Sequence, residues 1–171
     1  MANFDLAVEY VLDSEGGFVD DPLDRGGCTN MGITQATLSR WLKHPATEQD
    51  VRDLERETAK EIYHDWYWLP VRGDAIEHQG VATCIFDIGV VCGTPTSVRL
   101  ARMAIGAPAE GGFDHAMVER INAKAPESFI HRFVGVVSDR FCDIVVKNKS
   151  QTRFIKGWMR RAHRLLTLEG I

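Results

Sequence analysis

From Phe18 to Gly32 the sequence drops the helical periodicity that runs through nearly all the rest of this 171-residue chain. That segment is crowded with Gly, Asp and Pro, which favour turns over regular helix, and it reads as a loop holding a short β-hairpin. On either side, apolar residues recur at i, i+3, i+4 and i+7, the signature of a helix with one buried face. Phe4, Ala7, Val8, Val11 and Leu12 make the first such stripe. Asn3 is placed to cap it, and Gly16-Gly17 to end it, leaving Glu15 on the last turn. The expected fold class is therefore mainly α, of the α+β kind, with one small β element near the N-terminus.

The same pattern continues downstream. Thr34 caps a helix through Lys43, with Leu38, Trp41 and Leu42 inward. Thr47 and Asp50 form a capping box for a short helix, and Thr58 with Glu61 repeats that signal before Ile62, Tyr63 and Trp66. Pro70 closes that helix. Residues from about Glu77 to Val91 read as an apolar helix that Gly93-Thr94-Pro95 breaks. A further helix runs to Met103, and Asp114 caps another through Asn122. A long one covers Ser128 to about Lys147, after Pro126. The last spans about Thr152 to Leu168, with Phe154, Ile155, Trp158 and Ala162 inward.

A formal net charge of −4 argues against a nucleic-acid partner. The last helix is the exception, carrying Arg153, Lys156, Arg160, Arg161 and Arg164. Such a stripe suits weak contact with an anionic polymer or a membrane surface, or is an ordinary solvated face. Cys28, Cys84, Cys92 and Cys142 match no zinc or redox spacing and read as reduced, mostly buried thiols. The N-terminus lacks a basic segment followed by an apolar one, so no secretory signal is expected. No stretch is long and apolar enough to span a bilayer.

Chemistry concentrates around the break in periodicity. Glu15 stands at the end of an apolar helix, where low-dielectric surroundings and the negative end of the helix dipole both favour a protonated carboxyl. That is what a general acid requires. Asp24, nine residues on, lies in a loop that folds back over the helix end and is the candidate second carboxylate; Asp20 and Asp21 compete with it. Paired carboxylates suit glycoside hydrolysis, one protonating the leaving oxygen and the other assisting water across about 6.5–9.5 Å in an inverting arrangement. Thr29 and Asn30 are placed to orient water or a sugar hydroxyl, or else to pin the hairpin. Trp66, Tyr67 and Trp68 are consecutive on a helix and cannot all face the core, so Trp66 and Tyr67 are candidates to meet the apolar faces of sugar rings. Cys28 as a nucleophile would need a distant His64 or His78 in reach. Asp87, alone in an apolar helix, reads as a hydrogen-bonding support or a second catalytic candidate.

The run Glu15-Gly16-Gly17-Phe18, continuing through Asp21-Pro22-Leu23-Asp24-Arg25-Gly26-Gly27-Cys28-Thr29-Asn30-Met31-Gly32-Ile33-Thr34, resembles the signature of glycoside hydrolase family 108. Tyr63 to Trp68 resembles that family's aromatic helix, and Phe86-Asp87 with Gly93 its central helix. Phe154 to Arg161 resembles the end of the associated peptidoglycan-binding region. The resemblance implies a lysozyme-like helical fold, with residues 1–93 as the catalytic region and 94–171 as a helical region packed into the same globule. It places the catalytic glutamate at Glu15 and the loop aspartate at Asp24. It implies an N-acetylmuramidase, acting without cofactor or metal on the β-1,4 bond between N-acetylmuramic acid and N-acetylglucosamine in peptidoglycan. The setting implied is endolysin-type lysis from a prophage, with synthesis in the cytoplasm and a holin giving access to the wall. A lytic transglycosylase, or a non-catalytic wall-binding or phage structural protein, are the alternatives.

Overall fold

The computed structural model describes residues 1–19 and 27–170. Among them the elements run α1 (Phe4–Glu15), β1 (Thr29–Asn30), β2 (Ile33–Thr34), α2 (Gln35–Leu42), α3 (Glu48–Arg52), α4 (Arg56–Tyr63), α5 (Gln79–Cys92), α6 (Thr94–Ala104), α7 (His115–Asn122), α8 (Pro126–Lys147) and α9 (Thr152–Arg164). A π-helical turn, His64–Trp68, extends α4, and a 3-10 turn, Leu165–Leu168, follows α9.

The centre of the molecule is α5. Every residue from Gly80 to Gly89 is buried, as befits a helix enclosed on all sides. It packs against α1, α6, α8 and the turn after α9. Gly80 makes one of these approaches possible, since a Cβ there would lie 1.9 Å from the Leu168 carbonyl oxygen. The chain's two halves therefore share this helix as a common core. Phe4, Trp68 and Phe86 meet at ring-centroid distances of 5.6–6.0 Å beside it. The Trp68 indole is fully buried and donates to Asp74 at 2.8 Å.

Side-chain caps fix the starts of α1, α2, α3 and α7. The Asn3 side chain accepts from the amides of Asp5 and Leu6, and Thr47 and Asp50 form the reciprocal capping box. Two starts differ from the sequence expectation. Helix α4 begins at Arg56 with Glu55 as an N-cap that makes no side-chain bond, so Thr58 lies inside the helix. The buried stripe Ala59, Ile62, Tyr63 needs that earlier turn. Helix α8 begins at Pro126 itself, a position where the missing N–H costs nothing. Phe154 also departs from expectation. It is 41% exposed and stacks on Trp158 at 5.8 Å with the Arg153 guanidinium over it. All four cysteines are free; Cys28 and Cys84 are buried, whereas Cys142 is exposed. Among the described residues, no helix is long and apolar enough to cross a membrane.

Candidate active site

Glu15 closes α1, and three other elements converge on it. The first is the hairpin. Strands β1 and β2 pair Thr29 with Thr34 and Asn30 with Ile33, which leaves Met31-Gly32 as a two-residue turn. Both turn residues have positive φ, 49° and 75°, the requirement of a type I′ connection. Gly32 lies against the acid itself: a Cβ there would be 2.7 Å from Glu15 Oε2 and 2.5 Å from the Tyr63 hydroxyl. The turn is held from α4, where the buried Tyr63 hydroxyl donates to the Met31 carbonyl at 2.8 Å. Val19 bridges to Thr29 on the other edge of β1, joining the chain just after α1 to the hairpin.

The second and third elements are α9 and α5. Arg161 on α9 donates from Nη1 to Glu15 Oε1 at 2.5 Å. Its Nε and Nη2 grip Asp87 of α5, at 3.0 Å to Oδ2 and 2.8 Å to Oδ1. Asp87 is completely buried, while the Glu15 and Arg161 side chains keep 18% and 19% of their exposure. Burial disfavours the Arg161 charge, but Asp87 and Glu15 outweigh it and hold that pKa above its ordinary value. Arg164, one turn on, donates to the Ser14 hydroxyl at 2.5 Å and covers the Tyr10 ring. Burial, reinforced by the negative charge of Glu15, keeps Tyr63 neutral well above the usual tyrosine range. Tyr67 is pushed up mainly by burial, with Arg40 opposing and Glu15 adding to it.

These groups line an open groove of about 800 Å³. Ser14, Glu15 and Gly32 line it together with Val90 and Val91 of α5 and Trp158, Arg160, Arg161 and Arg164 of α9. The ion pair at Glu15 is thus not sealed. A carboxyl oxygen at the wall of a groove this size is in position to meet the bridging oxygen of a polysaccharide.

The other residues picked out in the sequence fall in several places. Asp24 lies outside the described residues, as do Asp20 and Asp21. Asn30 is buried, and its amide donates to the Val51 and Arg52 carbonyls at 3.0 and 3.2 Å, tying β1 to α3. Thr29 is half-buried on the same strand. Trp66 packs edge-on to Trp41 at 5.6 Å, with the Arg40 guanidinium over its ring. Tyr67 leans on Tyr63 at 5.7 Å. Cys28 is buried with its thiol directed at the Gln35 amide. In the sequence Arg161 is one member of a basic stripe, yet in the structure it and Arg164 turn inward to the site. The signal for this was Asp87: a carboxylate in an apolar helix needs a cationic or hydrogen-bonding partner when buried.

Helical enclosure of a hairpin, with a carboxylate at the end of the first helix facing a groove, defines a lysozyme-like glycoside hydrolase. The family model for glycosyl hydrolase 108 matches residues 8–93, and the chain belongs to that family. A solved structure of Brucella abortus SagA is similar over 96% of this chain and 91% of its own, at 30% identity and a TM-score of 0.82. No curated protein matches the chain. The matched segment contains Glu15, Gly32 and Asp87, whereas Arg161 lies beyond it. The groove is built from both parts.

Proposed function

We propose that this protein is a peptidoglycan hydrolase of the N-acetylmuramidase kind, with Glu15 as its general acid. The observation that carries the reading is the Glu15 carboxyl, oriented by Arg161 on the wall of an open groove. The proton of Glu15 passes to the oxygen bridging N-acetylmuramic acid and N-acetylglucosamine. The C–O bond breaks, the freed sugar leaves as an alcohol, and positive charge grows on the remaining ring as an oxocarbenium-like ion. Water then adds, losing a proton to a carboxylate; Asp24 is the residue we assign to this step. The exposed Arg160 in the groove lining suits a polymer that carries carboxylates, as peptidoglycan does and chitin does not.

The same geometry supports a role for residues 94–171. They supply Trp158, Arg160 and Arg161 to the groove, which supports a share in holding the glycan strand. We further propose an endolysin-type role. On this reading the chain is made in the cytoplasm, reaches the wall through a holin-type opening, and meets the membrane surface at most weakly. Arg153, Lys156 and Arg160 remain exposed for such a contact, while Arg161 and Arg164 are engaged elsewhere.

The test is digestion of purified peptidoglycan followed by mass spectrometry of the released muropeptides. Reducing N-acetylmuramic acid ends, with one water added per cut, are expected. Ends of the 1,6-anhydro type mean that the muramic 6-hydroxyl attacks instead, making the protein a lytic transglycosylase. Binding to sacculi with no soluble product would leave a wall-binding protein.

A further inference from the structure

Glu15 meets a guanidinium at hydrogen-bond distance, and a cation so placed favours the ionised carboxylate. A general acid must carry its proton before it reacts. The arrangement behind Arg161 reconciles the two. Asp87 accepts from Arg161 Nε at 3.1 and 3.0 Å and from Nη2 at 2.8 Å, whereas Glu15 receives Nη1 alone. Two carboxylates thus share one cation, and with both ionised the cluster carries one surplus negative charge. Asp87 is fully buried and cannot lose its counter-ion without leaving an isolated charge away from water. Glu15, at the groove wall, is the member open to solvent and substrate.

We propose that Arg161 is the positioning residue of Glu15, and that Asp87 offsets its charge so that the acid is oriented without being locked in its ionised form. This rests on Glu15 being the acid proposed above. Among the described residues, the other charged or titratable groups around Glu15 make no hydrogen bond or ion pair with it. Tyr63 on α4 and Tyr67 on the π-helical turn stay neutral, since burial first and the Glu15 charge in addition raise both; for Tyr67, Arg40 opposes that shift. Arg164 of α9 faces Ser14 and the Tyr10 ring. Asp13, on α1, and Arg160, on α9, line the same groove as opposite charges. The described hairpin residues that reach Glu15 are those of the uncharged Met31-Gly32 turn.

The test is the pH titration of the Glu15 side-chain carboxyl by carbon-13 NMR, its resonance assigned by its disappearance in Glu15→Gln. In Asp87→Asn the guanidinium is no longer offset, and the Glu15 midpoint falls by about one pH unit or more. In Arg161→Gln the cation is gone, and the midpoint rises. The double variant Asp87→Asn/Arg161→Gln leaves a neutral interior and titrates above Asp87→Asn. The alkaline limb of kcat/KM on peptidoglycan moves in the same directions, which a purely structural role would not produce. A midpoint unchanged or raised in Asp87→Asn, or unchanged or lowered in Arg161→Gln, overturns the proposal. Arg161→Gln is read independently, so the proposal stays open to refutation if Asp87→Asn does not fold. The titration needs no substrate. Failure of the wild type to release muropeptides therefore overturns the muramidase reading separately.

Discussion

Helix α1 carries two glutamates, Glu9 and Glu15, and each meets arginine in a different electrostatic setting. Glu9 lies at the surface with its side chain 47% exposed and faces two cations of α4, Arg56 and Lys60, the latter at 3.0 Å. Hydrogen bonding from Lys60, then from Arg56, holds its carboxyl below the usual range despite some opposing desolvation. Glu15, six residues on, shares a single arginine with a fully buried aspartate. One carboxylate is paired with two cations at the surface, and its pKa is lowered. The other has one hydrogen-bonded cation, divided with a second carboxylate, beside a groove. The contrast shows that proximity to arginine does not by itself make a structural salt bridge; what else the arginine holds decides.

The comparison is broken most forcefully at Asp87. Asp87→Ala takes from the largely buried Arg161 the carboxylate that accepts from its Nε and Nη2, leaving Glu15 as its partner, and should cost about 3 kcal/mol in denaturant unfolding, whereas neutralising both partners together costs much less. A Gly32→Ala change comes next, since its Cβ would press on Glu15 Oε2 and the Tyr63 hydroxyl in a left-handed backbone. We expect kcat to fall by about tenfold or more, equivalent to about 1.4 kcal/mol at the transition state, with the protein still folded. Wild-type kcat in that variant would show that the turn does not place the acid. Asn30→Ala leaves the α3 carbonyls without their donor and should lose about 1–3 kcal/mol of stability. KM for peptidoglycan should hold steady, and a large rise in KM would identify Asn30 as a sugar contact instead.

Glu9→Gln should have the smallest effect, a shift of no more than a few degrees in Tm with full activity. Its sign with pH is fixed. The Glu9 pKa is lowered by folding, so its contribution is present above the unfolded value of about 4.5 and is lost as pH falls through the folded value. Wild type and Glu9→Gln should therefore differ in Tm near neutrality and converge in strong acid.

Much of the fold was legible because local rules set it. Asn3, Thr34, Thr47 and Asp114 all cap the helices assigned to them, and the Gly/Asp/Pro-rich break yields a hairpin at its far end. The α4 start is not legible because the capping pattern at Thr58 falls inside a helix that begins at Arg56. Glu15 and the oddity of Asp87 could be seen in the sequence; their union through Arg161 could not. A residue 146 positions away from Glu15 reaches it only through the packing of α9 on α8, which with the Leu165–Leu168 turn brings it beside α5. No periodicity tells an inward arginine from a solvated one on a helix rich in both.

The most direct measurement is the rate of muropeptide release from purified peptidoglycan by wild type and by Glu15→Gln, with matched circular dichroism spectra and Tm values. The account predicts an active wild type and a folded variant slowed by about 10²–10⁴-fold or more. A folded Glu15→Gln protein that releases muropeptides at the wild-type rate would contradict it.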